Sequence, residues 1–217
     1  MKALITGASG DIGRAIAERF LSAGYDVVGL DLLPSDLADE RYTHLVADVT
    51  GSLPDLTEIA VVVTAAGIQE GGEEVIDVNL KGTIRVVEKY AFTPAIRAVV
   101  TIASASARNG AEFPLYSASK GGVVAYTRNV AMRLASYGAT ANSLSPGGVI
   151  TSSNDPVIRD ADLYREALAE SLLGKWATPA EIAEWTYFLA AVNRSMTGED
   201  LLVDNGEMLK SHFVWPK

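Results

Sequence analysis

Lys2-Ala3-Leu4-Ile5-Thr6-Gly7-Ala8-Ser9-Gly10-Asp11-Ile12-Gly13 is the stretch from which the fold can be read. An apolar run of strand length enters a glycine cluster, and the cluster passes straight into a helical period. Ile12, Ile16 and Phe20 recur at four-residue spacing beside Ala15, and Gly24 stands where a glycine commonly closes a helix. Strand, glycine loop and helix make the first unit of an α/β fold. The alternation then repeats: apolar runs at 25–30, 43–47, 59–64, 96–103, 139–144 and 200–203 are separated by helical stretches at 73–90, 115–137, 163–173 and 179–192. Most of these runs lack the apolar–polar alternation of a half-exposed strand, so both faces of the sheet are expected to be covered. The expectation is one doubly wound parallel α/β domain over residues 1–217, without repeats, low-complexity tracts or linkers.

Composition agrees and narrows the chemistry. The 217 residues are 48% apolar and 21% charged, enough for one continuous core. The sequence has no cysteine, which excludes thiol catalysis, iron–sulfur clusters, thiolate zinc sites and disulfides. Lys+Arg 18 against Asp+Glu 27 gives a net charge of -9, a surface that repels nucleic acid and anionic lipid. His44 and His212 are the only histidines, too few and too far apart in sequence for a histidine-built metal site, so no metal is expected. No run approaches the roughly eighteen apolar residues of a membrane span, and nothing resembles a secretory leader, so a cytoplasmic protein is expected.

In such sheets ligands bind beyond the carboxyl ends of the strands. After the first strand, glycines let backbone approach a pyrophosphate and the helix start supplies unpaired N–H groups. Gly7, Ser9, Gly10, Asp11, Ile12 and Gly13 are the candidate contacts there. Asp31, with Leu32 beside it, closes the second strand. A carboxylate at that place can accept both ribose hydroxyls of adenosine and repels a 2′-phosphate, favouring NAD over NADP. Asp48 and Val49 follow the third strand, and Ala65, Ala66 and Gly67 follow the fourth. Asp48 can reach an adenine amino group and the small residues can make room for a ribose; either segment can also be a plain turn.

The catalytic signal is Tyr116-Ser117-Ala118-Ser119-Lys120. Tyr116 and Lys120, four apart, share one helix face. An ammonium beside a phenol favours phenolate, so the spacing predicts a Tyr116 pKa below its ordinary value of about 10 and a usable acid/base. Ser104 ends the fifth strand, where it can hold a substrate oxygen; Ser106 is the alternative serine. Asn79 is a polar residue in an apolar helical stretch, either a helix-packing amide or part of the site. Pro146, Gly147, Val149 and Thr151 form a turn after the sixth strand that can reach a carboxamide.

Together these residues resemble the short-chain dehydrogenase/reductase family, in family order over nearly the whole chain. The resemblance extends to Thr197-Gly198-Glu199-Asp200-Leu201-Leu202-Val203-Asp204-Asn205-Gly206, similar to the family's terminal strand motif. It implies a Rossmann sheet of about seven strands and a homodimer or homotetramer built through the helices bearing Asn79 and Tyr116. It implies Tyr116 as general acid/base, and Lys120 as the group that lowers its pKa and binds the nicotinamide ribose. Ser104 would orient the substrate carbonyl, Asn79 would hold a water linking Lys120 to solvent, and Thr151 with the backbone near Val149 would clamp the nicotinamide. The sequence also departs from the pattern. Asp11 stands at the middle glycine position, Thr64-Ala65-Ala66-Gly67 replaces Asn-Asn-Ala-Gly, and 49–58 is too short for the usual third-to-fourth-strand helix.

The resulting expectation is an NAD(H)-dependent oxidoreductase interconverting a secondary alcohol and a ketone. One alternative is an NADPH-dependent 3-oxoacyl carrier-protein reductase, for which Arg41 is the nearest basic candidate after Asp31. Another is an NAD(H)-binding sensor or scaffold without turnover. Substrate choice is assigned to residues 151–175, a loop with a helix from about Leu163. There Leu163, Tyr164, Leu168, Leu172, Leu173 and Trp176 either close over a partly apolar ligand or, for most of them, pack the helix. Pro94, Glu112, Phe113 and Leu115 are further candidate lining residues.

Overall fold

The computed structural model describes residues 1–111 and 113–209; Glu112 and His212 lie outside the described residues. In chain order the elements are β1 (Lys2–Thr6), α1 (Asp11–Ser22), β2 (Asp26–Asp31), β3 (Tyr42–Val46), β4 (Ile59–Thr64), α2 (Glu74–Ile76) and α3 (Thr83–Tyr90), with a π-helical turn, Asp77–Gly82, joining α2 to α3. There follow β5 (Ala98–Ile102), α4 (Ser106–Asn109), α5 (Pro114–Leu134), β6 (Thr140–Pro146), α6 (Asp155–Ile158), α7 (Ala161–Ala169), α8 (Pro179–Tyr187) and β7 (Asp200–Val203).

All seven strands are parallel, in the order β3-β2-β1-β4-β5-β6-β7. The winding reverses between β1 and β4, the place where such sheets open a ligand crevice. Successive strand residues feed two cores. Ile5, Val27, Val61, Val63 and Val100 join Ile16, Phe20 and Ile182 of α1 and α8 on one face. Leu4, Val28, Val62 and Val99 join Val86, Val87, Val130 and Leu134 of α3 and α5 on the other. β4 is buried along its whole length, which is why it reads as an unbroken apolar run.

Helix starts follow local chemistry. Thr178 and Glu181 form a reciprocal capping box with Pro179 in the first turn of α8. Asp160 caps α7 by accepting the N–H groups of Asp162 and Leu163, so that helix begins before the 163 expected from periodicity, and it ends at Ala169 rather than 173. The 47–58 connection carries no helix, as its length suggested.

Candidate active site

The glycine loop is fitted to its neighbours at two positions. Gly7 has φ +69°, and a Cβ there would come within 2.6 Å of the Ala66 nitrogen; a Cβ on Gly13 would lie 2.0 Å from the Gly7 carbonyl oxygen. Any side chain would push β1 away from the β4 end or lift α1 off the loop. Gly10 precedes α1 in extended conformation and offers no side-chain cap, which leaves first-turn N–H groups facing the loop. Asp31, at the end of β2, turns toward this loop: its Oδ2 accepts the Ser9 N–H at 3.0 Å and its Oδ1 accepts the Leu33 N–H at 2.9 Å. The Ser9 hydroxyl donates to the Leu33 and Pro34 carbonyls, and Leu32 is exposed beside them. Asp48 is exposed and caps its own turn, accepting the Thr50 N–H at 2.7 Å, while Val49 is buried against Gly82. Arg41 lies beside Gly24 and pairs with Asp39. It precedes β3, at the opposite end of the sheet from Asp31 and the glycine loop.

A cleft of about 540 Å³ opens beyond β4, β5 and β6. Ile12, Ala65, Gly67, Ser104, Tyr116, Lys120, Pro146, Gly147, Val149 and Thr151 line it together, so residues picked from five separate sequence segments meet in one place. Of Ser104 and Ser106, Ser104 is the one that lines the cleft. Ser106 starts α4 and donates its N–H to the Ser104 hydroxyl at 3.1 Å, orienting it.

Tyr116 and Lys120 share the inner face of α5, but not as spacing predicted. The Lys120 ammonium donates to the Ile102 carbonyl at 2.9 Å, at the end of β5, and lies 5.5 Å from the centre of the Tyr116 ring. Burial pushes the Tyr116 phenol above its ordinary value, and a hydrogen bond with Ser104 acts in the opposite direction. The expected lowering by Lys120 is therefore not present, because the ammonium is directed to the strand end rather than to the phenol oxygen. Lys120 is itself buried, and the loss of hydration lowers its pKa to about 8.

Asn79 lies in the π-helical turn, a device that often marks functional sites. Its Oδ1 accepts the Ile68 N–H and its Nδ2 donates to the Ile68 carbonyl, both at 2.8 Å. The same Nδ2 donates to Ser119 at 3.0 Å, whose hydroxyl donates to the Tyr116 carbonyl. Asn79 thus braces the loop after β4 against the first turns of α5. Gly67 gives the site its room: a Cβ there would be 3.1 Å from Asn79 Oδ1 and 3.4 Å from the Lys120 ammonium.

A family model described as Enoyl-(Acyl carrier protein) reductase matches residues 57–207. The short-chain reductase protein NovJ of Streptomyces niveus is 30% identical over 94% of this chain and 92% of its own length. The chain belongs to the short-chain dehydrogenase/reductase family. The 3-oxoacyl-(acyl-carrier-protein) reductase FabG of Rickettsia bellii is likewise 30% identical, over 95% of this chain and 96% of its own. The ligand-free aldohexose dehydrogenase of Thermoplasma acidophilum superposes with a TM-score of 0.88 at 26% identity, covering 100% of this chain and 97% of that one. A structure from Agrobacterium tumefaciens that holds bound NADP is 28% identical with a TM-score of 0.87, over 96% of each chain.

Several features of this short-chain dehydrogenase/reductase were not apparent in the sequence. Gln69, Glu70, Ser153 and Asn154 also line the cleft; the cap-forming run Ser152-Ser153-Asn154-Asp155 was the available signal for the last two. Pro94, Phe113 and Leu115 are not among the lining residues. Nor are the apolar side chains of α7 and its sequel. Trp176 covers Gly148 and stacks edge-on with Tyr164 at 5.4 Å, so this segment packs onto the turn after β6. The Asp11 carboxylate is engaged by the turn after β6, accepting both the N–H and the hydroxyl of Ser152.

Proposed function

We propose that this protein interconverts a secondary alcohol and a ketone by hydride transfer with NAD(H), and that residues 1–217 act as a single domain with 151–175 as the substrate segment. The reading is carried by Ser104, Tyr116 and Lys120 meeting in one cleft that runs on toward the glycine loop. The loop suits a dinucleotide: the start of α1 presents N–H groups, Gly7 and Gly13 keep it tight, and the Asp11 carboxylate is already engaged by two donors of Ser152. Gly7, Ser9, Gly10, Ile12 and Gly13 would hold the phosphates, Asp31 the adenosine ribose, Lys120 the nicotinamide ribose, and Pro146, Gly147, Val149 and Thr151 the carboxamide. Asp48, Val49, Ala65, Ala66, Gly67 and Leu32 would flank the adenosine and the ribose between. The bound nicotinamide supplies or accepts the hydride.

The chain's own part is proton transfer and orientation. Tyr116, a phenol whose pKa burial pushes above its ordinary value, gives its proton to the carbonyl oxygen in reduction and takes it back in oxidation. Ser104, fixed by the Ser106 N–H, donates to the same oxygen. A preference for NAD rests on Asp31, and Arg14, the nearest cation on α1, is already paired with Asp36 and Glu18. The cleft favours a hydroxylated substrate over a long acyl chain, since Gln69, Glu70, Ser153 and Asn154 line it and the leucines of 163–173 do not. The second reading, an NADPH-dependent 3-oxoacyl carrier-protein reductase, is supported by the similarity to FabG. Exposed Leu115 and Met132 on α5 fit a homo-oligomer, which light scattering would test.

Titration with NADH and NADPH by tryptophan fluorescence tests the cofactor, followed by a screen of polyols, simple secondary alcohols and acyl thioesters. NADH preference with polyol turnover is expected. NADPH preference with acyl thioester turnover would replace this reading by the second. Tyr116→Phe should bind cofactor normally and lose at least a hundredfold in kcat, in line with general acid/base contributions of roughly 10²–10⁴; unchanged turnover would remove the mechanism.

A further inference from the structure

Asp11 is the first residue of α1, yet it serves a turn 141 positions away. One carboxylate oxygen, Oδ2, accepts both the N–H and the hydroxyl of Ser152, each at 2.7 Å. Ser152 opens the 3-10 turn Ser152–Asn154, and Thr151, which precedes that turn, gives it no side-chain cap. Asp11 therefore caps this turn from outside, in the way a carboxylate caps a helix start within one segment. The rest of the turn is internally braced. Asn154 donates from Nδ2 to the Val149 carbonyl at 2.8 Å, its N–H reaches the Thr151 carbonyl at 3.0 Å, and the Thr151 and Ser153 hydroxyls meet at 2.9 Å. Ile12, next to Asp11, lines the cleft, as do Val149, Thr151, Ser153 and Asn154. The Asp11–Ser152 contact joins these two segments of the lining.

We infer that Asp11 and Ser152 form a latch that positions the 149–154 turn over the dinucleotide, making both of them positioning residues. The inference rests on the proposed function, which puts a dinucleotide in this cleft. Two consequences oppose each other. A carboxylate beside a pyrophosphate weakens binding by repulsion, and removing it should tighten binding. A carboxylate holding the roof of the cleft strengthens binding, and removing it should release cofactor faster. The geometry favours the second, because both donors draw the charge toward the turn.

The test compares wild type with Asp11→Ala, Ser152→Ala, Ser152→Thr and the double alanine variant. Hydrogen exchange on the protein alone is read first. Amides of 151–154 should exchange about five- to tenfold faster in both single alanine variants, with β1 and β6 unchanged, and Ser152→Thr should restore protection. NADH dissociation followed by stopped-flow fluorescence should accelerate by a similar factor, and the double variant should be no faster than the faster single, as expected of one shared interaction. Unchanged exchange at 151–154 in Asp11→Ala overturns the latch, as does tighter NADH binding by that variant. Failure of wild type to bind either NADH or NADPH overturns instead the proposed function and, with it, the positioning role, whatever the exchange shows.

Discussion

Lys120 shows what a single buried charge does to this protein. Burial holds its pKa at about 8, against 10.5 for an ordinary lysine. Between those values the unfolded chain binds more protons than the folded one, so stability contributed at this site rises with pH from about 8 to 10.5. The shift corresponds to on the order of 3 kcal/mol at about 1.4 kcal/mol per pH unit. Urea denaturation at pH 7.5 and 9.5 should show a gain for wild type that Lys120→Met lacks; parallel behaviour of the two would contradict the burial argument. Thr64 makes the complementary case. Its hydroxyl is buried without a partner among the described residues, where the family pattern has an asparagine. Thr64→Val should therefore stabilise by about 1 kcal/mol, since an unpaired buried polar atom costs roughly 1–3 kcal/mol. At this scale the sequence was partly legible. Spacing put Tyr116 and Lys120 on one face, because helix geometry is local. It could not show that Lys120 reaches the Ile102 carbonyl, or that Ser152 reaches Asp11, because those partners are set by how β5 and the turn after β6 end in space.

The 47–58 connection is the element that most needs explaining, because it crosses the sheet without a helix and leaves backbone carbonyls without internal partners. Side chains of α3 supply them. Tyr90 donates its hydroxyl to the Pro54 carbonyl at 2.6 Å, Lys89 donates to the Leu53 carbonyl at 2.6 Å and to Asp55, and Arg85 donates to the Thr50 carbonyl. Burial, reinforced by nearby Asp55, pushes the Tyr90 phenol up to about 12, so this hydroxyl keeps its proton across the working range. Tyr90→Phe keeps the ring and removes only the donor. A loss of about 1 kcal/mol is expected, the usual net worth of one hydrogen bond, with faster amide exchange confined to 50–55. Lys89→Ala should cost less, because Asp55 is fully exposed and surface pairs contribute little. The missing helix was legible from length alone, and the strands from their unbroken apolar runs. The π turn around Asn79 was not, since no residue pattern separates it from ordinary helix; it is stabilised by packing, with Leu80 seated against Gly122 of α5.

The doubly wound sheet fixes where charge can matter for the molecule as a whole. With a net charge of -9, an anionic dinucleotide approaches a repelling body, and the acids near its route reinforce that sign. Asp11 starts α1, Asp31 ends β2, Asp48 follows β3 and Glu70 lines the cleft, while Arg14 is neutralised by Asp36 and Glu18 and Lys120 is buried. Screening should therefore help association. The Debye length falls from about 30 Å at 0.01 M salt to about 8 Å at 0.15 M, so long-range repulsion is largely removed over that interval. The NADH association rate should rise severalfold from 10 to 150 mM salt, measured by stopped-flow fluorescence, while the dissociation rate stays nearly constant. In the proposed reading a bound dinucleotide would be held by short contacts inside the cleft, which salt screens less. A rate that falls with salt would mean that unpaired cations near the cleft mouth steer the ligand, contrary to the ion pairs assigned to Arg14.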